Sequence, residues 1–159
     1  MALDKLDIKI LALLVNQGRM TWSDLASRLQ LSPPAAAERV KRLEDRGIIS
    51  GYSARLDAER LGLNLTAFVA VTLAHPSHRQ DFLAAVTAHG GILECHHVTG
   101  ADDYLLKVRC RHTRDLETFI SEHLKSIPGV VKTQTHIVLS TVKETLTPPL
   151  GAQPDEPAP

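Results

Sequence analysis

Four basic side chains, Arg39, Lys41, Arg42 and Arg46, fall in one short stretch of the chain. Arg39, Arg42 and Arg46 recur at i, i+3 and i+7, so on a helix they share a face. Val40 and Leu43 lie beside that face and can anchor it to other helices. The turn before them offers only Pro34, Ala35 and Ala36. Small residues at a helix N-terminus let the backbone come close to a DNA groove, and Arg on the following turns can reach base edges or phosphates. Ser32 stands where a helix N-terminus meets a phosphate. A basic stripe alone more often marks a solvated face, here one paired through Glu38, Glu44 and Asp45. What precedes the stripe must decide between the two.

A second set of reactive groups is less ordered. All eight His lie between His75 and His136, and the chain has two Cys, Cys95 and Cys110. On neighbouring strands, Cys95, His97 and His136 could converge on a soft metal, which gives an alternative reading as a metal-responsive regulator. No tight ligand pair of the CxxC or HxxxH kind is present, so no metal ligand is assigned. The two Cys flank an expected hairpin and could lie near each other across it, but read better as small buried hydrophobes than as a redox pair. There is no nucleophile elbow, carboxylate pair or Gly-rich phosphate loop, and the expectation is a protein that is not an enzyme and holds no cofactor.

The elements that must position the basic stripe are helical. Leu6, Ile10, Leu13 and Leu14 form one apolar stripe, widened by Ile8, Leu11 and Val15, and Gly18 ends that helix. Thr21 to Asp24 reads as a capping box opening a short second helix with Leu25, Ala26 and Leu29 on its apolar face. Ser32 is the next N-cap, Pro33 takes the first helical position, and Gly47 supplies a left-handed stop after Arg46. Three helices with a tight turn before the last make a helix-turn-helix pattern, which tips the basic stripe towards DNA. Ile48 to Leu56 then reads as extended.

From Leu65 the period changes. Leu65, Ala67, Val69, Val71 and Leu73 alternate as a strand, and Phe82, Leu83 and Val86 mark a helix. Ile92–Thr99 and Asp103–Cys110 read as strands joined by Gly100-Ala101-Asp102. Leu116 to Ile127 is helical, and Thr133, Thr135, Ile137, Leu139 and Thr141 alternate as a last strand. The fold class is therefore α+β. It combines an N-terminal helix-turn-helix (winged-helix-like) domain, residues 1–50, with an extended linker, 51–64. A ferredoxin-like βαββαβ domain with an antiparallel sheet follows at 65–146, and a Pro- and Ala-rich stretch, 147–159, is expected to be a disordered tail.

Composition bounds these readings. Among 159 residues, 18 Lys+Arg balance 18 Asp+Glu, so net charge gives no reason to expect a polyanion partner. The balance is uneven: up to residue 60 there are ten basic against eight acidic side chains. Aromatic residues, at 4%, are too few for a single-strand stacking platform. No apolar run approaches a membrane span and the N-terminus has no basic leader, so the expected location is cytoplasmic, with no membrane partner.

The motifs resemble one family. Leu6-Asp7-x-x-Ile10-Leu11, Gly18-Arg19-Met20-Thr21, Leu31-Ser32-Pro33 and Glu38 to Glu44 are similar to the DNA-binding half of the Lrp/AsnC transcriptional regulators, and Gly47 to Tyr52 continues the match. Glu94-Cys95-His96, Val98-x-Gly100-x-x-Asp103-Tyr104 and Ile127-Pro128-Gly129-Val130 resemble that family's effector domain. The resemblance implies double-stranded DNA as a partner, self-assembly as a dimer or a tetramer of dimers, and an amino-acid effector held near the β-β turn. It makes Ser32, Pro34, Ala35, Ala36, Arg39 and Arg42 DNA-facing, with Lys41 and Arg46 as phosphate contacts. It places the effector against His97, Thr99, Gly100, Asp102, Asp103 and Tyr104, with Thr135, His136 and Ile137 as an opposing wall. Chemically the turn suits an α-amino acid: Gly100 bares backbone to a carboxylate and Asp103 can pair with an ammonium. His97 and His136 stand where leucine-responsive members have less polar residues, which argues against leucine itself. The alternative without an effector is an architectural DNA-bending protein.

Overall fold

The computed structural model describes residues 3–150, so residues 151–159 of the expected tail lie outside the described residues. The chain falls into two compact units: residues up to Arg55 together with the segment from Lys143, and Leu56–Val142.

In the first unit, helix α1 (Lys5–Asn16) opens on a capping box that the sequence reading passed over. The Asp7 N–H donates to Asp4 Oδ1 at 2.7 Å, and the Asp4 N–H donates back to Asp7 Oδ2 at 3.3 Å. Helix α2 (Trp22–Leu29) starts at Thr21, whose Oγ1 accepts the Asp24 N–H and donates to the Asp24 carboxylate. It stops without a glycine. Gln30 adopts φ 57°, and the Leu31 N–H reaches the Ala26 carbonyl at 2.9 Å, closing a Schellman-type turn. That turn delivers Ser32 directly to the N-cap of helix α3 (Pro33–Asp45), where it accepts the Ala35 N–H at 3.4 Å. Gly47, at φ 68°, ends α3 as expected, with Ile48 N–H on the Leu43 carbonyl. Ile10, Leu25, Ala36, Val40 and Leu43 are the buried centre of this unit.

The segment read as extended, Ile48–Leu56, forms no strand. A ladder needs a neighbouring edge, and no strand of the described chain pairs with this segment. The segment is attached by Ile49, whose N–H donates to the Leu43 carbonyl at 3.2 Å and whose side chain packs on the core, and by the Tyr52 hydroxyl, which donates to Glu44 Oε1 at 2.9 Å. Partial burial, with Glu44 beside it, pushes the Tyr52 phenol up to about 12.

The second unit runs β1 (Leu65–Leu73), a 3-10 turn (Pro76–His78), α4 (Arg79–Ala88), β2 (Ile92–His97), β3 (Tyr104–Cys110), α5 (Thr113–Thr118) continuing as a π-helical stretch (Phe119–Leu124), and β4 (Val130–Ile137). All pairings are antiparallel, in the order β2-β3-β1-β4. The expected alternation in β1 buries Ala67, Val69 and Val71, which meet Val108, Leu106 and Tyr104 across β3. Phe82, Val86, Leu116, Phe119 and Leu124 cover that face from the helices. No helix among the described residues is long and apolar enough to cross a membrane.

Three sequence expectations are corrected here. β4 ends at Ile137, not Thr141: Ile137 pairs with Ala67, the Val138 N–H bonds to the Thr66 carbonyl, and in this register Thr141 would fall beyond Leu65, the first residue of β1. The two Cys do not meet. Cys95 opposes Leu106 and Cys110 opposes Leu65, so they are four positions apart along β3, roughly 13 Å. Burial pushes both thiols up, away from the reactive thiolate. Finally, Cys95 and His97 sit on β2 and His136 on β4, at opposite edges of the sheet and on opposite faces. With three strand spacings of about 4.8 Å between them they cannot share a metal. Among the described residues no three His, Cys, Asp or Glu gather.

The approach to β4 is held by Gly129, whose carbonyl accepts the Ala74 N–H at 2.7 Å. Gly129 has φ 87°, and a Cβ there would strike the His78 ring. Gly129→Ala is expected to destabilise the protein by about 2–4 kcal/mol, from left-handed strain and overpacking together. Urea unfolding checks it. Adding His78→Gly, which removes the Cβ as well as the ring, should recover the overpacking part and leave roughly 1–2 kcal/mol of backbone strain.

Candidate functional site

The burial pattern of α3 sorts the expected DNA-facing residues. Ala36, Val40 and Leu43 face the core, and Ala36 has no exposed surface. It therefore cannot touch DNA from the folded domain; its small side chain lets α3 sit close to its neighbours. Ser32, Pro34, Lys41 and Arg42 are exposed and Ala35 is half-buried, so these share the outward side with Glu38 and Asp45. Arg46 is the exposed C-cap residue.

Arg39 has a structural partner that helix periodicity could not show. Its Nη1 donates to Asp4 Oδ2 at 2.7 Å and to Asp7 Oδ1 at 2.8 Å, and its side chain is only 25% exposed. The guanidinium thus bridges both members of the α1 capping box and ties the middle of α3 to the start of α1. The Asp4 carboxyl is held below the usual range, chiefly by its hydrogen bond from Arg39 and then by the Asp7 N–H. The exposed face is accordingly centred on Pro34, Glu38, Lys41 and Arg42 rather than on an Arg39–Arg42–Arg46 line.

The β2–β3 connection is closed by the Val98 N–H on the Asp103 carbonyl, and is moored to β1 by the Asp103 N–H on the Val71 carbonyl. Asp103 Oδ2 accepts the Leu73 N–H at 2.7 Å, so one of its carboxylate oxygens is spent on the end of β1. Asp102 Oδ1 accepts from Thr72 at 2.9 Å and from Lys132 at 3.1 Å. Lys132, then Thr72, and more weakly His136, hold the Asp102 carboxyl low. Thr99 and Gly100 are exposed, and Gly100 has φ 123° with open space around it. Tyr104 is buried in the core, where its hydroxyl accepts from Arg79 Nε at 3.0 Å. It supports the turn from beneath instead of lining a surface.

His97, exposed at the end of β2, stacks on Tyr104 with ring centres 5.0 Å apart. Within one chain, Lys132 is the β4 residue that touches the turn. Thr135, His136 and Ile137 pair with Val69, Phe68 and Ala67, farther along β1. Lys132 and Arg79 were missed because only the strand order brings them to this end of the sheet.

Comparison with known proteins supplies the context for both surfaces. Residues 3–44 match the AsnC-type helix-turn-helix domain and residues 66–148 the Lrp/AsnC ligand binding domain. The chain is 42% identical over 146 residues to the leucine-responsive regulatory protein of Haemophilus influenzae, covering 91% of this chain and 88% of that one. It is 39% identical to a proline dehydrogenase transcriptional activator of Rhizobium radiobacter, covering 90% and 93%. Among solved structures, a transcriptional regulator of Neisseria meningitidis in complex with L-Met superposes with a TM-score of 0.90 at 38% identity, over 94% of this chain and 98% of that one. Escherichia coli AsnC gives 0.87 at 25% identity, over 92% and 99%.

The Arg39 bridge has an acid limit. A carboxyl whose folded value is depressed stabilises the fold above its unfolded value and loses that contribution as pH falls through the folded one. The wild type is expected to melt higher than Asp4→Asn at neutral pH, and the gap should close on acidification below the ordinary Asp value of 3.8. Melting curves across pH 2 to 7, as a rough range for carboxylate titration, check this. A gap unchanged at the acid end would show that the bridge does not depend on the Asp4 charge.

Proposed function

The chain belongs to the Lrp/AsnC family of transcriptional regulators, and from that premise we propose that an amino-acid effector, bound at the β2–β3 turn, controls how paired copies of α3 engage two DNA half-sites. The observation that carries this reading is the presence on one chain of the helix-turn-helix match at 3–44 and the ligand-binding match at 66–148. A neighbour of the same fold binds L-Met, which supports the amino-acid class without naming the effector here.

The DNA contact runs through Lys41 and Arg42, with Ser32, Pro34 and Ala35 at the close approach of the helix N-terminus. Arg39 sets the angle of the helix. Two such helices in a dimer read half-sites about one DNA turn apart, ~34 Å. Effector binding favours one assembly geometry over another, and the difference in its affinity for the two is what the DNA affinity reports. Assembly as a dimer or tetramer of dimers is part of this proposal.

Two variants separate the roles on α3. Arg42→Ala is expected to keep the wild-type melting temperature and to weaken binding to a duplex enriched from a random library by about 1–3 kcal/mol. Arg39→Ala is expected to lower the melting temperature first, because it leaves two carboxylates facing each other without their cation. Fluorescence anisotropy on selected and scrambled duplexes, beside melting curves, checks both. Equal loss of Arg42→Ala on both duplexes would reduce its role to a phosphate contact. For the effector, a thermal-shift panel of the twenty amino acids should raise the midpoint with at least one, since a ligand of the native state must stabilise it. No shift with any would favour the architectural reading.

A further inference from the structure

We infer that the effector of this chain is an amino acid with an acidic side chain, its second carboxylate held by Arg79 and His97. The inference rests on the β2–β3 turn being the effector site. Tyr104 is the fixed point. Its ring packs on Phe82 at 4.7 Å between centres, carries His97 stacked at 5.0 Å, and its hydroxyl accepts Arg79 Nε at 3.0 Å. His97 is the last residue of β2 and pairs in register with Tyr104, one residue before the turn opens at Val98. Two groups that bind anions are therefore set on one buried aromatic beside the turn.

Their hydrogen-bonding capacity is unspent. Arg79 uses Nε on Tyr104, and its two terminal nitrogens have no partner among the described residues. Neither ring nitrogen of His97 has one, and both residues are exposed. Holding a guanidinium by Nε leaves the paired Nη1–Nη2 end, whose spacing matches a carboxylate. His97 adds an N–H donor whichever nitrogen carries the proton.

The cation across the turn is different, because Lys132 is already answered by Asp102. An apolar effector side chain packed here would strip water from Arg79 and His97 and return no hydrogen bond. A side-chain carboxylate satisfies both.

Calorimetric titration of the full chain with L-aspartate, L-glutamate, L-asparagine, L-glutamine, L-leucine and L-methionine tests this. One acidic amino acid is expected to bind at least tenfold tighter than its own amide. His97→Leu, an exposed position that leaves the fold intact, should shrink that ratio several-fold. Arg79→Met should do the same, weakening the acid more than its amide. Should Arg79→Met fail to fold, because Tyr104 loses its partner, the His97→Leu ratio decides alone. Tightest binding of leucine or methionine, or an acid-to-amide ratio that His97→Leu leaves unchanged, would overturn the inference and leave the turn as effector site. Binding of none of the six, with no thermal shift from any of the twenty, would overturn the effector reading and this inference together.

Discussion

The DNA-binding half depends on one guanidinium between two carboxylates. A three-helix unit of this size has a small core, in which Ile10, Leu25, Val40 and Leu43 are the largest fully buried members. Apolar contact alone fixes helix distance better than it fixes rotation about the helix axis, since such contact is non-directional. Arg39 supplies the direction. Its hydrogen bonds to Asp4 and Asp7 can form only when α3 presents that side to the N-terminus of α1. Once rotation is set, Ala36 must face inward and Lys41 and Arg42 outward. The carboxylates in turn are pre-arranged, because each also caps the α1 backbone.

The effector domain uses acidic groups in the same way. Asp103 closes the end of β1 with the Leu73 N–H, and Asp102 gathers Thr72 and Lys132. These bonds place the β2–β3 turn at a defined height over the sheet end. The side chains that look most reactive in the turn are therefore the ones that hold it. In the proposed effector site, recognition passes to groups the fold leaves unspent, namely the backbone at Gly100 and the donors of Arg79 and His97.

Much of this was legible in the sequence. Local signals fixed the helix starts at Thr21 and Ser32 and the stop at Gly47, because capping is decided by residues within a turn of one another. The period-2 pattern of Ala67, Val69 and Val71 marked the central strand, because its partners on β3, Val108, Leu106 and Tyr104, bury the same face. The misses share a cause. Arg39 and Asp7 are 32 positions apart, and no spacing rule joins them. Ala35 and Ala36 are the same residue type, and only the packed angle of α3 separates outward from inward. Thr141 continues an alternation past the start of β1, whose first residue, Leu65, would stand opposite Leu139 in this register. Cys95, His97 and His136 looked like converging ligands until strand order put β1 and β3 between them.

The clamp also changes the meaning of the zero net charge. Arg39 is spent on Asp4 and Asp7 and adds nothing to the outward field of α3. The outward face of α3 interleaves Lys41 and Arg42 with Glu38 and Asp45. Such a face gains little from counterion release, the term that dominates nonspecific affinity. Tight binding must then come from several correctly spaced contacts made at once, where linking modules raises effective concentration. A regulator with weak single contacts and strong dependence on spacing is one that a change in assembly can switch. Near-neutrality and the proposed effector control are in this sense the same design requirement.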